Sequence, residues 1–236
     1  RNIALKNICG NYLMFVDSDD ILPDNTIETL MNLAEEKNAD IVEGQYKSFI
    51  SDDEIDIHKH ERFQSSNLTK LNGYAWGKII SSEKLLNLAF PKGYEYEDTI
   101  ISTLLIPSCK KIYVTNDVTY YYRKNEQGIT SALYNRKSSI DTLYITLYCF
   151  AEALNRNYKI SVEDYLKQVR LNWIRTKNMP HDVRKAIFIV EVDFFEKNYK
   201  IDKTIKKSNL LKLQKTLQKH SYLGFKWIMN YWEILG

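Results

Sequence analysis

Three carboxylates, Asp17, Asp19 and Asp20, follow the apolar run from Tyr12 to Val16, with only Ser18 among them. The run is rich in aromatic and β-branched residues and reads as a buried strand. Asp17 and Asp19 then stand at or just past its C-terminal end, where open α/β sheets place their ligands. Like charges crowded at a strand end repel one another and cost desolvation unless a cation or a donor network compensates. A hard divalent metal such as Mg2+ or Mn2+, carrying a phosphorylated ligand, supplies that compensation, because its preferred ligands are oxygens. A solvated acidic turn is the bland alternative; the position directly after an apolar strand favours function.

A second acidic pair, Glu97-Asp98, precedes the apolar stretch Thr99–Ile106, which is expected to be helical. A carboxylate at the start of an apolar helix is partly desolvated, which raises its proton affinity towards that of a general base. Acidic residues also cap helix N-termini, and the residues alone leave the two readings level. Arg123 ends an expected strand and has the fork geometry to pair with diphosphate oxygens, with a surface ion pair as the competing reading. Trp76 offers either a stacking face or a core side chain. His58 and His60 alternate with Lys59 in a charged stretch, where surface exposure outweighs metal binding.

The elements that position these residues follow from periodicity. Pro23-Asp24-Asn25 supplies turn and cap residues, and Ile27, Leu30, Met31 and Ala34 predict an amphipathic helix over 26–37. A strand is expected over 40–50 and a polar loop over 52–61. A helix follows near 82–88, then two short strands over 112–115 and 118–123. From Arg136 the pattern is helical almost to the end. Ile140, Leu143, Tyr144 and Leu147 mark one helix, and Tyr165, Leu166, Val169 and Trp173 a second. Pro180 begins a third, and Leu210, Leu213 and Leu217 mark a fourth. The last stretch, 222–235, is amphipathic; packing on the bundle is preferred to lying on a membrane surface or a partner.

The 236 residues suffice for one large domain or two small ones, and 44% hydrophobic with 27% charged residues is ordinary for a globular protein. Residues 1–135 carry 14 Lys and Arg against 20 Asp and Glu, whereas residues 136–236 carry 19 against 10. This reversal places a boundary near Arg136, giving domains 1–135 and 136–236. The lysines of the basic half are dispersed around helices rather than gathered in a stripe, which argues against nucleic-acid binding. Cys9, Cys109 and Cys149 are odd in number and widely spaced, as free thiols in a reducing compartment would be. No apolar run approaches the roughly 20 residues that span a bilayer, and no secretory signal opens the chain.

Three blocks, in order, resemble family-2 glycosyltransferases of the GT-A fold. The first runs from Arg1-Asn2 through Ala4, Gly10, Tyr12 and Phe15 to Asp17-Ser18-Asp19-Asp20. The second is Trp76-Gly77-Lys78 followed by Phe90-Pro91, Gly93 and Glu97-Asp98. The third is Tyr121-Tyr122-Arg123 followed by Gly128-Ile129-Thr130-Ser131, where the small-residue step is displaced by one. The match covers residues 1–135 and implies an α/β fold, a partial GT-A mixed sheet flanked by helices, followed by an α-helical C-terminal region. The family's domain begins with further strands ahead of the Arg-Asn, so the chain is expected to hold its later part. A binding subunit that needs a partner with the earlier half is the alternative.

By resemblance, Asp98 is the candidate base, with Glu97 beside it. Arg1, Asp17, Ser18, Asp19, Arg123 and Ser131 bind the donor, and Trp76, Gly77 and Lys78 the acceptor. Asp19 and Asp17 hold Mn2+ or Mg2+. The implied reaction moves a sugar, with inversion, from a nucleotide-sugar such as a UDP-sugar to a glycan, glycolipid or peptide in bacterial surface polysaccharide synthesis. The implied location is cytoplasmic, with peripheral contact at the inner face of the membrane, and the C-terminal helices are available for a homo-oligomer or partner. Two rivals remain. A haloacid-dehalogenase-type phosphohydrolase would use Asp17 as nucleophile and Asp19 as acid. An EF-hand counted from Asp17 reaches Glu28 but has Ile21 and Leu22 in place of a ligand and the turn glycine.

Overall fold

The computed structural model describes residues 1–63, 71–125 and 136–235, and the chain divides into two compact units. The first holds Arg1–Lys92 and the chain from Glu97 through the last strand; the second holds Gly93–Tyr96 and the C-terminal helices. Charge asymmetry alone does not show that Gly93–Tyr96 groups with the helices.

In the first unit, a short helix α1 (Asn2–Leu5) precedes β1 (Tyr12–Met14), α2 (Thr26–Lys37) and β2 (Ile41–Phe49). Then come β3 (Lys78–Ser81), α3 (Ser82–Leu85), a π-helical turn (Ile101–Leu105) running into α4 (Ile106–Ser108), and β4 (Ile112–Arg123). The strands form one mixed sheet in the order β1-β3-β2-β4, with β3 antiparallel to both neighbours and β2 parallel to β4. Leu30 and Ala34 pack α2 against Val42 and Ile79 of the sheet. The helix stops at Asn38, whose φ of 47° is left-handed and whose N–H bonds back to the Ala34 carbonyl.

Two expectations are corrected here, and one strand appears that the sequence analysis did not assign. The run 12–16 forms a strand only to Met14, and β1 is a half-buried outer strand rather than a buried one, with Val16 47% exposed. Residues 78–81 are a strand, although a lysine opens them, because Lys78 is neutralised inside the unit. Residues 112–123 make one strand rather than two, since β4 absorbs its polar middle, Asn116-Asp117, through irregular register opposite Gly44 and Gln45. Gly44 is required at that point: a Cβ there would lie 2.0 Å from Thr119 Oγ1.

The second unit packs α5 (Asp141–Asn155), α6 (Val162–Arg175), α7 (His181–Asn198), α8 (Ser208–Gln218) and α9 (Tyr222–Leu235) around one core. Ser161 caps α6 through a reciprocal pair with Asp164, and Pro180 precedes α7. α9 inserts Phe225, Ile228 and Met229 into that core, as the packing reading expects. The residues that mark α5 in the sequence do not form its buried face. Its buried face is Thr142, Ile145, Thr146, Cys149, Phe150 and Ala153, while Ile140 and Tyr144 are 41% and 48% exposed. The threonines go inward because a polar network receives them: both hydroxyls donate to Asn172 Oδ1, whose amide donates to the buried Glu191 at 2.9 Å. No helix among the described residues is long and apolar enough to cross a membrane.

Candidate functional site

The acidic turn hangs on β4. Beyond β1, Phe15 bridges to Trp76 and the chain turns back, with Asp20 N–H donating to the Asp17 carbonyl at 3.1 Å. Ile21 and Tyr121 then exchange backbone hydrogen bonds of 3.1 and 2.9 Å. The Tyr120 hydroxyl donates to Asp20 Oδ2 at 2.7 Å and accepts from Asp17 N–H at 3.1 Å. Asp20 Oδ1 accepts from the backbone N–H of Arg123 at 2.8 Å, and Arg123 Nε donates to the Asp19 carbonyl at 2.8 Å. Asp20 is thus directed inward as the anchor of the turn, leaving Asp17 half-buried and Ser18 and Asp19 exposed. Burial raises the proton affinity of Asp20, Tyr120 and Arg123 oppose that through their hydrogen bonds, and Asp19 and Asp17 add to it. Burial and Asp20 push the Tyr120 phenol well above its ordinary range.

Arg1 joins this turn to the second acidic pair. Its guanidinium donates to Asp17 Oδ1 at 3.1 Å and to Glu97 Oε1 at 2.5 Å, and it lies over the Phe90 ring. Asn2 fixes the same neighbourhood, its amide donating to the Phe90 carbonyl and accepting from the Phe90 N–H, both at 2.8 Å. The first and second sequence blocks therefore meet in space. Helical structure begins at Thr99, directly after the acidic pair, and the Asp98 carbonyl accepts from Ile101 N–H. Asp98 acts electrostatically on Lys78, so the two lie near one another. Tyr96, just ahead of Glu97, has a φ of 62°, a conformation a bulky residue adopts only when its surroundings impose it. Its ring carries the Arg175 guanidinium at 4.0 Å, and Glu95 N–H donates to Asp141.

The acceptor-side candidates are placed differently from expectation. Trp76 is only 7% exposed, stacked against Tyr74, Tyr120 and Tyr122 at 4.7, 4.5 and 5.2 Å and met edge-on by Tyr46. It is a core residue with no open face for a ligand ring. Gly77 makes the turn into β3 with a φ of 76°. Lys78 is fully buried, paired with Glu43 at 2.9 Å and donating to the Tyr74 and Trp76 carbonyls. Its pKa is lowered by burial and that of Glu43 raised by burial, each opposed by the other's charge. Lys78 is therefore a structural ion rather than a surface contact for an acceptor.

The Arg123 guanidinium lies over Phe49 and pairs with Asp52 at 2.7 Å, holding the turn from outside. Ser131 and the Gly128-Ile129-Thr130 step lie outside the described residues. His58 and His60 are exposed and pair with Asp24 and Asp117, as surface histidines. Sequence reasoning missed Tyr120 and the anchoring role of Asp20. The signal was the unbroken Tyr120-Tyr121-Tyr122, in which alternate strand residues face the turn and the opposite core.

Among the described residues no group of three or more His, Cys, Asp or Glu side chains is placed to hold a metal ion. Asp17 and Asp19 are the carboxylates of the turn whose oxygens could contribute to holding such an ion, Asp17 being paired with Arg1.

Residues 1–91 match the family model for glycosyl transferase family 2. With S. aureus TarS, residues 1–349, solved in complex with UDP-GlcNAc, the chain shares a fold. The TM-score is 0.73 at 16% identity, over 98% of this chain and 70% of that one. These findings define the class, a GT-A type mixed sheet followed by a helical region. Glycosyltransferase GlyG of Streptococcus pneumoniae is 28% identical over 55% of this chain and 49% of its own length. Minor teichoic acid biosynthesis protein GgaB of Bacillus subtilis is 23% identical over 79% of this chain and 22% of its own. The chain thus spans about half or less of these relatives.

Proposed function

We propose that the chain serves a metal-dependent, inverting glycosyltransferase that moves a sugar from a UDP-sugar to a glycan of the bacterial cell wall. The observation that carries this is the Arg1 guanidinium, which joins Asp17 of the strand-end turn to Glu97 of the second acidic pair within the first unit. Its wall-polymer context is supported by the likeness to GgaB, a teichoic acid biosynthesis protein.

In this reading Asp19 and Asp17 hold Mn2+ or Mg2+, which supplies charge neutralisation for a departing diphosphate. The backbone of the turn, fixed by Tyr120 and Arg123, keeps the two carboxylates from rearranging as the donor arrives. Asp98 accepts the proton of the acceptor hydroxyl, and Glu97, held by Arg1, orients the acceptor. The test is transfer from a panel of UDP-sugars to wall glycans with Mn2+. Asp98→Asn abolishes turnover and leaves donor binding within about twofold; near-normal turnover in that variant overturns the assignment.

A further inference from the structure

α9 seats Phe225, Ile228 and Met229 in the core of the second unit, and its Trp232 ring carries the Arg170 guanidinium at 4.7 Å. The opposite face is not the polar one that a bundle helix ordinarily turns to water. Leu223, Trp227 and Tyr231, spaced by four, run along it with 81%, 62% and 43% exposure, and the Trp227 and Tyr231 rings stack at 5.6 Å. Lys226 and Asn230 are exposed beside the row. Large apolar side chains exposed singly need no account, but a continuous row of three along one helix does.

We propose that this face of α9 docks on the surface of an anionic phospholipid bilayer. The chain around the row is strongly basic: residues 203–232 hold seven lysines and no Asp or Glu, and every one of the seven is exposed. Lys212, Lys215 and Lys219 recur at i, i+3 and i+7 on one side of α8, and α8 packs directly on α9. Packed helices lie about 8–10 Å apart, so these charges fall within about one Debye length of α9. Glu196, which reaches the turn between α8 and α9, is hydrogen-bonded to His220 there at 2.6 Å. A helix held flat by its buried side, with Leu, Trp and Tyr outward and lysines around them, suits the headgroup layer. The aromatic rings sit at the interface and the ammonium groups among the lipid phosphates. A second copy of the same face would set lysine against lysine, and a nucleic acid would leave the exposed Leu223 without a role. The docking face lies wholly in the second unit and does not depend on what the acidic turn binds.

The test is co-sedimentation of the chain, without nucleotide or metal, with vesicles of phosphatidylcholine alone and with vesicles in which roughly a third of the lipid is phosphatidylglycerol. Binding is expected to be about tenfold or more stronger to the anionic vesicles and to be lost at high salt. A lysine beside an anionic surface contributes about fivefold, so Lys212→Gln/Lys215→Gln/Lys219→Gln weakens binding by about tenfold or more. Leu223→Ala/Trp227→Ala weakens it about tenfold or more through lost apolar contact. Tyr144→Ala, which removes an exposed aromatic on α5, leaves it unchanged. Circular dichroism of each variant must match the parent. No binding, equal binding to both kinds of vesicle, or binding indifferent to Leu223→Ala/Trp227→Ala overturns the docking face. So does a dimer that this variant converts to monomer, because the row is then covered by a second copy, or tighter binding to an oligonucleotide than to the vesicles. Vesicle binding by a chain that fails to bind UDP upholds the docking face and removes the donor site alone.

Discussion

Tyr120→Phe isolates the anchor of the acidic turn. The substitution keeps the ring against Trp76, 4.5 Å away, and removes only a hydroxyl that serves Asp20 and the Asp17 N–H. A hydrogen bond to a charged group contributes about 1.5–3 kcal/mol and a neutral one about 0.5–1.5 kcal/mol. Asp20 is half-buried and keeps its bond from Arg123, so water recovers part of the loss. The expected cost is about 2–3 kcal/mol, a fall of roughly 5–12 °C in the melting transition of the first unit. The pH dependence gives a second check. Loss of the Tyr120 hydroxyl removes an interaction that favours ionised Asp20, so the folded-state proton affinity of Asp20 rises further. A raised carboxylate pKa lowers stability as pH rises through it, so the deficit is largest near neutrality and shrinks once Asp20 is protonated in acid. Thermal melts by circular dichroism from pH 3 to 8 measure both. A fall below about 1 °C at pH 7, or a deficit independent of pH, refutes the anchoring role.

Glu191 is wholly buried and its pKa is pushed up to about 8 by burial, against the hydrogen bond from Asn172. Stability of the second unit is therefore greatest below the ordinary glutamate range and falls by a few kcal/mol as pH rises to about 8. Glu191→Gln flattens that profile in denaturant titrations. Lys78→Met leaves Glu43 buried without its partner and costs about 3–5 kcal/mol, most of it recovered in Lys78→Met/Glu43→Leu, measured by urea unfolding. Gly44→Ala drives a methyl to within 2.0 Å of Thr119 on the neighbouring strand and costs about 1–3 kcal/mol, partly relieved by Thr119→Ala in the same assay.

Periodicity made α2, α6 and α8 legible, because each buries one regular face, whereas β2 was legible as a strand although its first four residues are buried on both faces. The acidic turn was legible as a motif at a strand end, and the first block lies within the stretch 1–91 that matches the glycosyl transferase family 2 model. What stayed hidden depends on partners distant in sequence. Lys78 was expected to contact an acceptor, but Glu43 and two carbonyls enclose it, so β3 went unassigned; of the two readings of Trp76, the core side chain is the one the structure shows. The α5 stripe misled because its hydrophobic side chains outnumber the threonines that lie inward, and only Asn172 on another helix explains the inversion. The left-handed Tyr96 and the double role of the Tyr120 hydroxyl leave no trace in residue type.

The central claim is that Asp17 and Asp19 present a metal-borne diphosphate, and titration calorimetry with UDP in the presence and absence of Mn2+ tests it most directly. The account predicts binding that requires Mn2+ and is lost in Asp19→Ala, with the variant's fold intact by circular dichroism. Binding by a folded chain that is indifferent to Mn2+ and to Asp19→Ala, or no binding at all, contradicts it.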